Sequence, residues 1–142
     1  MIKLSHLLPA GIMVFPLAAA ANAPPHLITP LSQAQFMPDA DVKCLQSALT
    51  HGNPDAGPST FLLKAPPGCR VPAHYHSAEE QMFVIRGSVL TGMTAMKDVA
   101  LTGGGVAAMP AKAVHWFSCI GKLPCLIAVS FNQKYDIVWI TH

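Results

Sequence analysis

Charged side chains are scarce in this 142-residue sequence, and they form no basic run. Lys and Arg number nine and Asp and Glu number seven, which gives a formal net charge of +2. Proteins that bind nucleic acid gather Lys and Arg into a patch or stripe on one face. This sequence lacks that footprint, so we expect no nucleic acid partner and instead a small-molecule ligand or substrate. A chain of this length can form one domain that buries roughly two-thirds of its unfolded surface.

Long apolar runs are also missing. A membrane-spanning helix needs about 20 consecutive apolar residues, whereas the stretch at 7–21 is shorter and is interrupted by two prolines. Lys3 precedes this stretch and small residues end it, which is typical of a secretory signal peptide. We predict a signal peptide at residues 1–21, cleaved after a residue between Ala20 and Ala23; the alternatives are an uncleaved anchor and a disordered tail. The mature protein would then be periplasmic or secreted, with no stable membrane span.

Cysteine is limited to four residues, which are Cys44, Cys69, Cys119 and Cys125. Disulfides form and persist in oxidising compartments, and four cysteines allow three pairings. Cys119 and Cys125 flank a short segment with Gly and Pro between two apolar runs, which favours a hairpin with a bridge across it. We therefore predict the pairs Cys119–Cys125 and Cys44–Cys69. The alternative is that some of the four are buried thiols that pack as small hydrophobic residues.

Turn-forming residues recur at short intervals from residue 42 onward and leave no room for long helices. The preceding residues, 24–41, contain several prolines and no clear period, so we predict an extended N-terminal arm there. Short apolar stretches between turns favour an all-β sandwich or barrel at 42–142, without internal repeats. The predicted strands are 60–64, 71–76, 81–85, 89–93, 105–109, 114–119, 126–131 and 137–140.

Two histidines with one residue between them are the clearest chemical signal. His74 and His76 are followed by Glu80 four positions later. Because successive side chains of a strand point to opposite faces, the two histidines point the same way and Tyr75 points the other way. Imidazole is the commonest metal ligand, and a carboxylate adds a hard anionic oxygen. These three residues predict a metal site.

The same residues belong to a longer pattern. The chain has Gly68, five residues, His74, one residue, His76, three residues, Glu80, six residues and Gly87. This spacing resembles the first motif of the cupin superfamily at each fixed position. A chance match in a chain of this size is on the order of one in ten thousand or rarer. The resemblance extends over about 42–139 and is closest to small, exported, single-domain cupins of undetermined activity.

A second pattern resembles the second cupin motif less completely. It consists of Gly104, five residues, Pro110 and then His115. Lys112 stands where the family has glycine, and Cys119 stands where it has asparagine. A residue with a β-carbon at the first of these positions either adopts a positive φ at a cost of roughly 1 kcal/mol or forms another turn. The histidine is unaffected, so the resemblance implies that His115 is the fourth metal ligand.

The resemblance implies a fold and a ligand set together. Cupins are small antiparallel β-barrels of the jelly-roll type, also called double-stranded β-helices, and many hold a metal ion inside through three histidines and one glutamate. A divalent Fe, Mn, Ni, Cu or Zn ion suits such a site, which has no thiolate. If the ligands face inward, strand alternation sends Met82, Val84 and Phe117 inward as well. We expect these three to line an apolar pocket for a carbon-rich or aromatic substrate.

Three functions are compatible with these features. The first is a metal-dependent oxidoreductase of the dioxygenase type that acts on a small organic substrate. The second is a non-catalytic module that binds a small molecule or metal, which is favoured because no second titratable group is visible beside the ligands. The third is an isomerase or lyase, since one fold hosts many activities. Cupins commonly associate through their sheets, so a homodimer is a further expectation.

Overall fold

The computed structural model describes residues 28–140, and the predicted signal peptide lies outside them. In this part the chain forms eleven β-strands in two antiparallel sheets, and its only helix is one 3-10 turn at Leu31–Gln33. No helix among these residues is long and apolar enough to cross a membrane. The prediction of an all-β jelly-roll barrel is confirmed.

The strands follow one another closely along the chain. They are β1 (Met37–Pro38), β2 (Gln46–Gly52), β3 (Ser59–Ala65), β4 (Arg70–Tyr75), β5 (Glu80–Arg86), β6 (Ser88–Met93), β7 (Val99–Thr102), β8 (Val106–Met109), β9 (His115–Ile120), β10 (Cys125–Phe131) and β11 (Val138–Trp139). One sheet has the order β1-β2-β3-β10-β5-β8, and the other has the order β11-β4-β9-β6-β7. This order makes neighbours of strands that are far apart in sequence, such as β3 and β10.

The hydrophobic core lies between the two sheets because alternate side chains of their strands are apolar. In β5, Met82 and Val84 are buried, whereas Phe83 and Ile85 are 39% and 49% exposed. In β9 the buried residues are the odd-numbered ones, beginning with His115. Full burial of one large apolar side chain contributes about 1.5–3 kcal/mol, so the alternation specifies which face of each strand points inward.

All eight predicted strands are present, with ends that differ by at most one residue. Three strands were not predicted, namely β1, β2 and β7, and all lie at or next to a sheet edge. β7 has no buried residue, and β2 has one, Ala48. With so little of their surface buried, these strands carry no regular alternation of polar and apolar residues, which is the signal that identifies a strand.

Two disulfides connect elements around the barrel. Cys44–Cys69 ties the segment before β2 to the residue before β4, and Cys119–Cys125 joins β9 to the start of β10. The predicted pairs are therefore confirmed, and no cysteine is free. The first bridge lies three residues after the predicted arm, in which the described residues include the 3-10 turn and β1.

Lys112 lies in the turn between β8 and β9 and has a φ of 63°. Of the two alternatives for this position, the chain therefore adopts the left-handed conformation that glycine would adopt more easily. The Lys112 N–H donates a hydrogen bond of 2.8 Å to the His76 carbonyl. The turn thus joins the second motif to the first.

Candidate metal centre

The structure brings the four predicted metal ligands together. His74 is in β4, Glu80 begins β5, His115 begins β9, and His76 follows the end of β4. One nitrogen or oxygen atom from each lies within 4.8 Å of the other three, and all four residues are buried. His74 and His115 are direct partners in the β4–β9 ladder, so residues 41 positions apart in sequence meet across two strands.

A bulge in β4 aims the first histidine at the centre. The register with β9 shifts between Val71 and His74, where two residues of β4 oppose one of β9. One of the two is Pro72, which has no N–H to offer a ladder and is tolerated at such irregular positions. Bulges bend a strand and redirect the next side chains. The Pro72 carbonyl also accepts a 2.7 Å hydrogen bond from the His74 Nδ1.

All three imidazoles are oriented in the same manner. The Nδ1 atoms of His74 and His115 lie 2.7 and 2.8 Å from the carbonyls of Pro72 and Ala113, and the Nδ1 of His76 contacts the carbonyl of Asp136. A carbonyl can only accept, so each Nδ1 carries the proton and donates it. In a neutral ring, Nε2 is then left with a lone pair that faces the interior. Metal-binding histidines are held by this kind of hydrogen bond.

The Glu80 carboxylate completes a donor set that requires a cation. Its Oε2 lies 3.0 Å from the Nε2 of His115 and 3.1 Å from that of His76. With Nδ1 of each ring already donating to a carbonyl, a neutral ring would direct a lone pair at the anionic oxygen. Either a proton on Nε2 or a metal ion between the atoms removes this repulsion. Three inward nitrogens and one carboxylate oxygen therefore fit a metal ion.

The protonation states agree with this assignment. Burial lowers the pKa of His74 to about 4, so this ring stays neutral. Burial alone would raise the pKa of Glu80, but hydrogen bonds from His115 and His76 outweigh it and lower that pKa to about 2. For His115, burial lowers the pKa and contact with Glu80 raises it, with a net increase. Contact with Glu80 thus favours a proton on the His115 ring, and metal binding would compete with this proton.

A cavity of about 140 Å³ opens beside three of the ligands. Five aromatic side chains form much of its wall: Phe61, Phe117, Phe131, Tyr135 and Trp139. Phe117 lines the cavity as predicted. Met82 and Val84 face inward but are fully buried in the core and do not line it. The reason is that β10 lies between β5 and β3, so Val129, the partner of Met82, stands at the cavity wall instead.

Tyr135 and Trp139 are site residues that sequence reasoning missed. The Tyr135 ring lies 5.4 Å from the His76 ring, and the Trp139 ring lies 5.2 Å from the His74 ring, measured between centroids. Burial, followed by the charge of Asp39, raises the pKa of Tyr135 above its ordinary value, so the phenol stays protonated. Trp139 is opposite His74 in the β4–β11 pair, but a strand of only two residues gives no detectable period.

Residues 132–137, the crossing segment, bring Tyr135 to the centre. The Asn132 side chain accepts from the Glu79 N–H at 3.0 Å, and the Asp136 side chain accepts from the Ser77 N–H at 2.7 Å. Because these bonds connect residues 53 and 59 positions apart, no local spacing rule could have predicted them. The crossing segment is thereby fastened to the loop that carries His76 and leads to Glu80.

The solved structures that are similar to this chain include proteins named as a lyase and as a cyclase. The chain is similar to the DMSP lyase DddQ from Ruegeria pomeroyi DSS-3, with 20% identity and a TM-score of 0.64 over 76% of this chain and 61% of that chain. It is similar to the polyketide cyclase RemF from Streptomyces resistomycificus, with 14% identity and a TM-score of 0.69 over 82% of this chain and 87% of that chain. It is also similar to KdgF from Halomonas sp., with 14% identity and a TM-score of 0.60 over 72% of this chain and 92% of that chain. At these identities the likeness shows the fold alone, and the chain spans less than two thirds of the lyase.

Sequence comparison identifies the family and no nearer relative. A search of curated proteins found no significant match. The family model of the cupin domain matches residues 61–131, a range that includes all four predicted ligands. The match covers half of the chain, and the two antiparallel sheets agree with it. The chain therefore belongs to the cupin superfamily.

Proposed function

We propose that this protein binds one divalent metal ion through His74, His76, Glu80 and His115 and acts on a small organic molecule in the adjoining cavity. The observation that carries the proposal is the convergence of four buried ligand atoms within 4.8 Å. Each imidazole in this set is turned by a backbone carbonyl so that its Nε2 faces inward. The donor set suits Fe, Mn, Ni, Cu or Zn, because it contains nitrogen and oxygen but no thiolate.

A bound metal ion would supply Lewis acidity, which polarises an oxygen of the substrate. The protein's own part is to hold that substrate in a small, mainly apolar space and to exclude water from it. Tyr135 supplies a hydrogen-bond donor beside the ligands. Its raised pKa keeps the phenol protonated, so its O–H can donate a hydrogen bond to a substrate oxygen or to a departing group. Stabilisation of charge on that oxygen by the metal and this O–H supports chemistry of the isomerase or lyase type.

An oxidoreductase of the dioxygenase type is the second candidate. It is favoured by the aromatic wall, formed by residues such as Phe61 and Phe131, which suits a carbon-rich substrate. Three imidazoles and one carboxylate also leave open positions on an octahedral ion. A binding module without turnover is less well supported than the sequence suggested, because Tyr135 places a titratable group beside the ligands.

Metal analysis of protein purified without a His tag or chelator tests the ligand set. We expect close to one divalent ion per chain in the native protein and a large loss in His74→Ala. The matched control is His51→Ala, because His51 is an exposed histidine of β2 outside the ligand set. Equal and negligible metal in the native protein and in both variants would reject the site.

Activity assays separate the reaction classes. Metal-loaded protein is incubated with a panel of diols, diketones and flavonols while oxygen uptake and products are followed. Product without oxygen uptake supports isomerase or lyase chemistry, product with oxygen uptake supports a dioxygenase, and binding without product supports a binding module. Tyr135→Phe should keep the metal and lower kcat in the first case; an unchanged kcat would remove Tyr135 from the mechanism.

Export is part of the proposal. It is supported by the signal-like sequence at 1–21 and by two disulfides, which persist in oxidising compartments. N-terminal mass spectrometry of the exported protein should find a first residue between 21 and 24, and an intact Met1 would contradict cleavage. Homodimer formation stays a prediction, which native mass spectrometry of the same sample tests.

A further inference from the structure

We propose that the cavity beside the metal ligands selects a small organic cation, with its positive head group held between the aromatic wall and the carboxylates of Asp39 and Asp41. This cation would be the substrate of the proposed function. The inference rests on that function in one respect, namely that an oxygen of the same molecule faces the metal. The recognition of the head group uses only side chains of this chain.

The charge of the cavity lining favours a cation. Within residues 28–140, the lining contains two charged residues besides the ligand set, Asp39 and Asp41, and it includes no Lys or Arg. Asp39, Asp41 and Glu80 together carry three negative charges, one more than a divalent ion neutralises. An anionic substrate would therefore have no cationic partner except the metal, and it would approach two carboxylates of its own sign. A cationic head group would instead be attracted by both carboxylates.

The two aspartates are more exposed than the other charged group of the cavity lining, Glu80. Asp41 is exposed and Asp39 is half-buried, whereas Glu80 is 4% exposed. The Asp39 carboxylate is fixed by backbone N–H groups of Asp41 at 3.0 Å and Val42 at 2.8 Å. Both aspartates are close enough to Tyr135 that their charges help to raise its pKa. The phenol and the two carboxylates thus belong to one part of the cavity lining.

Aromatic rings supply the second half of the recognition. The Tyr135 ring lies 5.0 Å from the Phe131 ring and 5.9 Å from the Phe61 ring, and Phe61 and Phe131 are 6.2 Å apart, all between centroids. Trp139 also lines the cavity, and its ring lies next to that of His74. Aromatic faces attract organic cations, most strongly when the site excludes water. Aromatic rings and carboxylates together bind a cation more tightly than either group does alone. Neither group attracts a neutral molecule of the same shape as strongly as it attracts the cation.

The cavity volume limits the size of the cation. About 140 Å³ is well below the roughly 300–1,000 Å³ of pockets that hold drug-sized ligands. It suits a head group such as a substituted ammonium joined by a short chain to one oxygen. We therefore infer the class of small amino alcohols and quaternary ammonium alcohols or acids.

Choline and 3,3-dimethylbutan-1-ol form a matched pair for the test, because they share shape and hydroxyl and differ in the positive charge. Binding of each to metal-loaded protein is measured by calorimetry, with metal content determined on the same samples. We expect choline to bind at least about tenfold more tightly. The double variant Asp39→Asn/Asp41→Asn should lose most of this preference, since asparagine keeps the oxygen that caps Val42 but not the charge.

The control is Asp55→Asn, which removes one carboxylate from an exposed turn outside the cavity lining. It should keep the preference. Failure of choline to bind, equal binding of both compounds, or a preference that survives in the double variant would overturn the inference. Because metal content is measured separately, protein that holds metal without preferring choline rejects only the substrate class. Protein without metal that still prefers choline rejects only the metal site.

Discussion

Lys112 adopts a backbone conformation that a β-carbon disfavours, with a φ of 63°, three residues before the ligand His115. Its N–H donates to the carbonyl of His76, so the conformation is fixed by a contact between the two ligand-bearing segments. A left-handed residue other than glycine costs roughly 1–2 kcal/mol. The strain is therefore located in the turn that positions a metal ligand.

Replacing this lysine by glycine should stabilise the protein. Lys112→Gly relieves the left-handed strain and keeps the N–H that bonds to His76, but it also increases the freedom of the unfolded chain. We expect the free energy of unfolding in urea to rise by about 0.5–1 kcal/mol. The control is Lys112→Ala, which keeps a β-carbon and should give no comparable gain. A loss of stability in the glycine variant would show that the φ of this residue is not strained.

At the scale of elements, a strand can be predicted from the sequence when one of its faces is buried and the other is exposed. β5 and β9 were predicted because buried and exposed side chains alternate along them, and the same alternation aims Glu80 and His115 inward. The exposed β7 was not predicted for the opposite reason. The crossing segment has no period at all, so Tyr135 could not be placed from its position in the sequence. Its location depends on hydrogen bonds to residues more than 50 positions away.

The two disulfides should differ in their contributions to stability. Cys44–Cys69 closes a loop with a sequence separation of 25, whereas Cys119–Cys125 closes one with a separation of 6. A cross-link that closes a longer loop removes more entropy from the unfolded chain, about 3.5 kcal/mol against about 2 kcal/mol for these lengths. Urea unfolding of the two Cys→Ala double variants, under non-reducing conditions, should show the larger loss for the 44/69 pair.

The longer bridge should also affect the cavity. It anchors the segment that follows Asp39 and Asp41, so its removal should weaken choline binding more than removal of the 119/125 bridge does. The 119/125 variant serves as the control because both of its cysteines are outside the cavity lining. Equal effects of the two variants on binding would mean that the bridge does not position the aspartates.

At the scale of the whole molecule, the ligand set spans both sheets. His74 and His115 belong to the sheet that contains β4 and β9, and Glu80 belongs to the sheet that contains β5. An ion held by these residues would cross-link the two layers that enclose the core. Ligands arranged in this way exist only in the folded chain, so binding energy becomes folding energy.

Metal should therefore raise the Tm of the whole domain in a single transition. At a free metal concentration of 100 times Kd the gain in stability is about 2.7 kcal/mol, which shifts the Tm by roughly 10 °C for a domain of this size. Calorimetry of chelator-treated protein with and without added Zn, Mn, Ni, Cu or Fe(II), the last without oxygen, measures the shift and ranks the ions. His74→Ala should lose most of the shift and His51→Ala should keep it. A Tm that no ion changes, or an equal shift in both variants, would mean that the four residues do not hold a metal between the sheets.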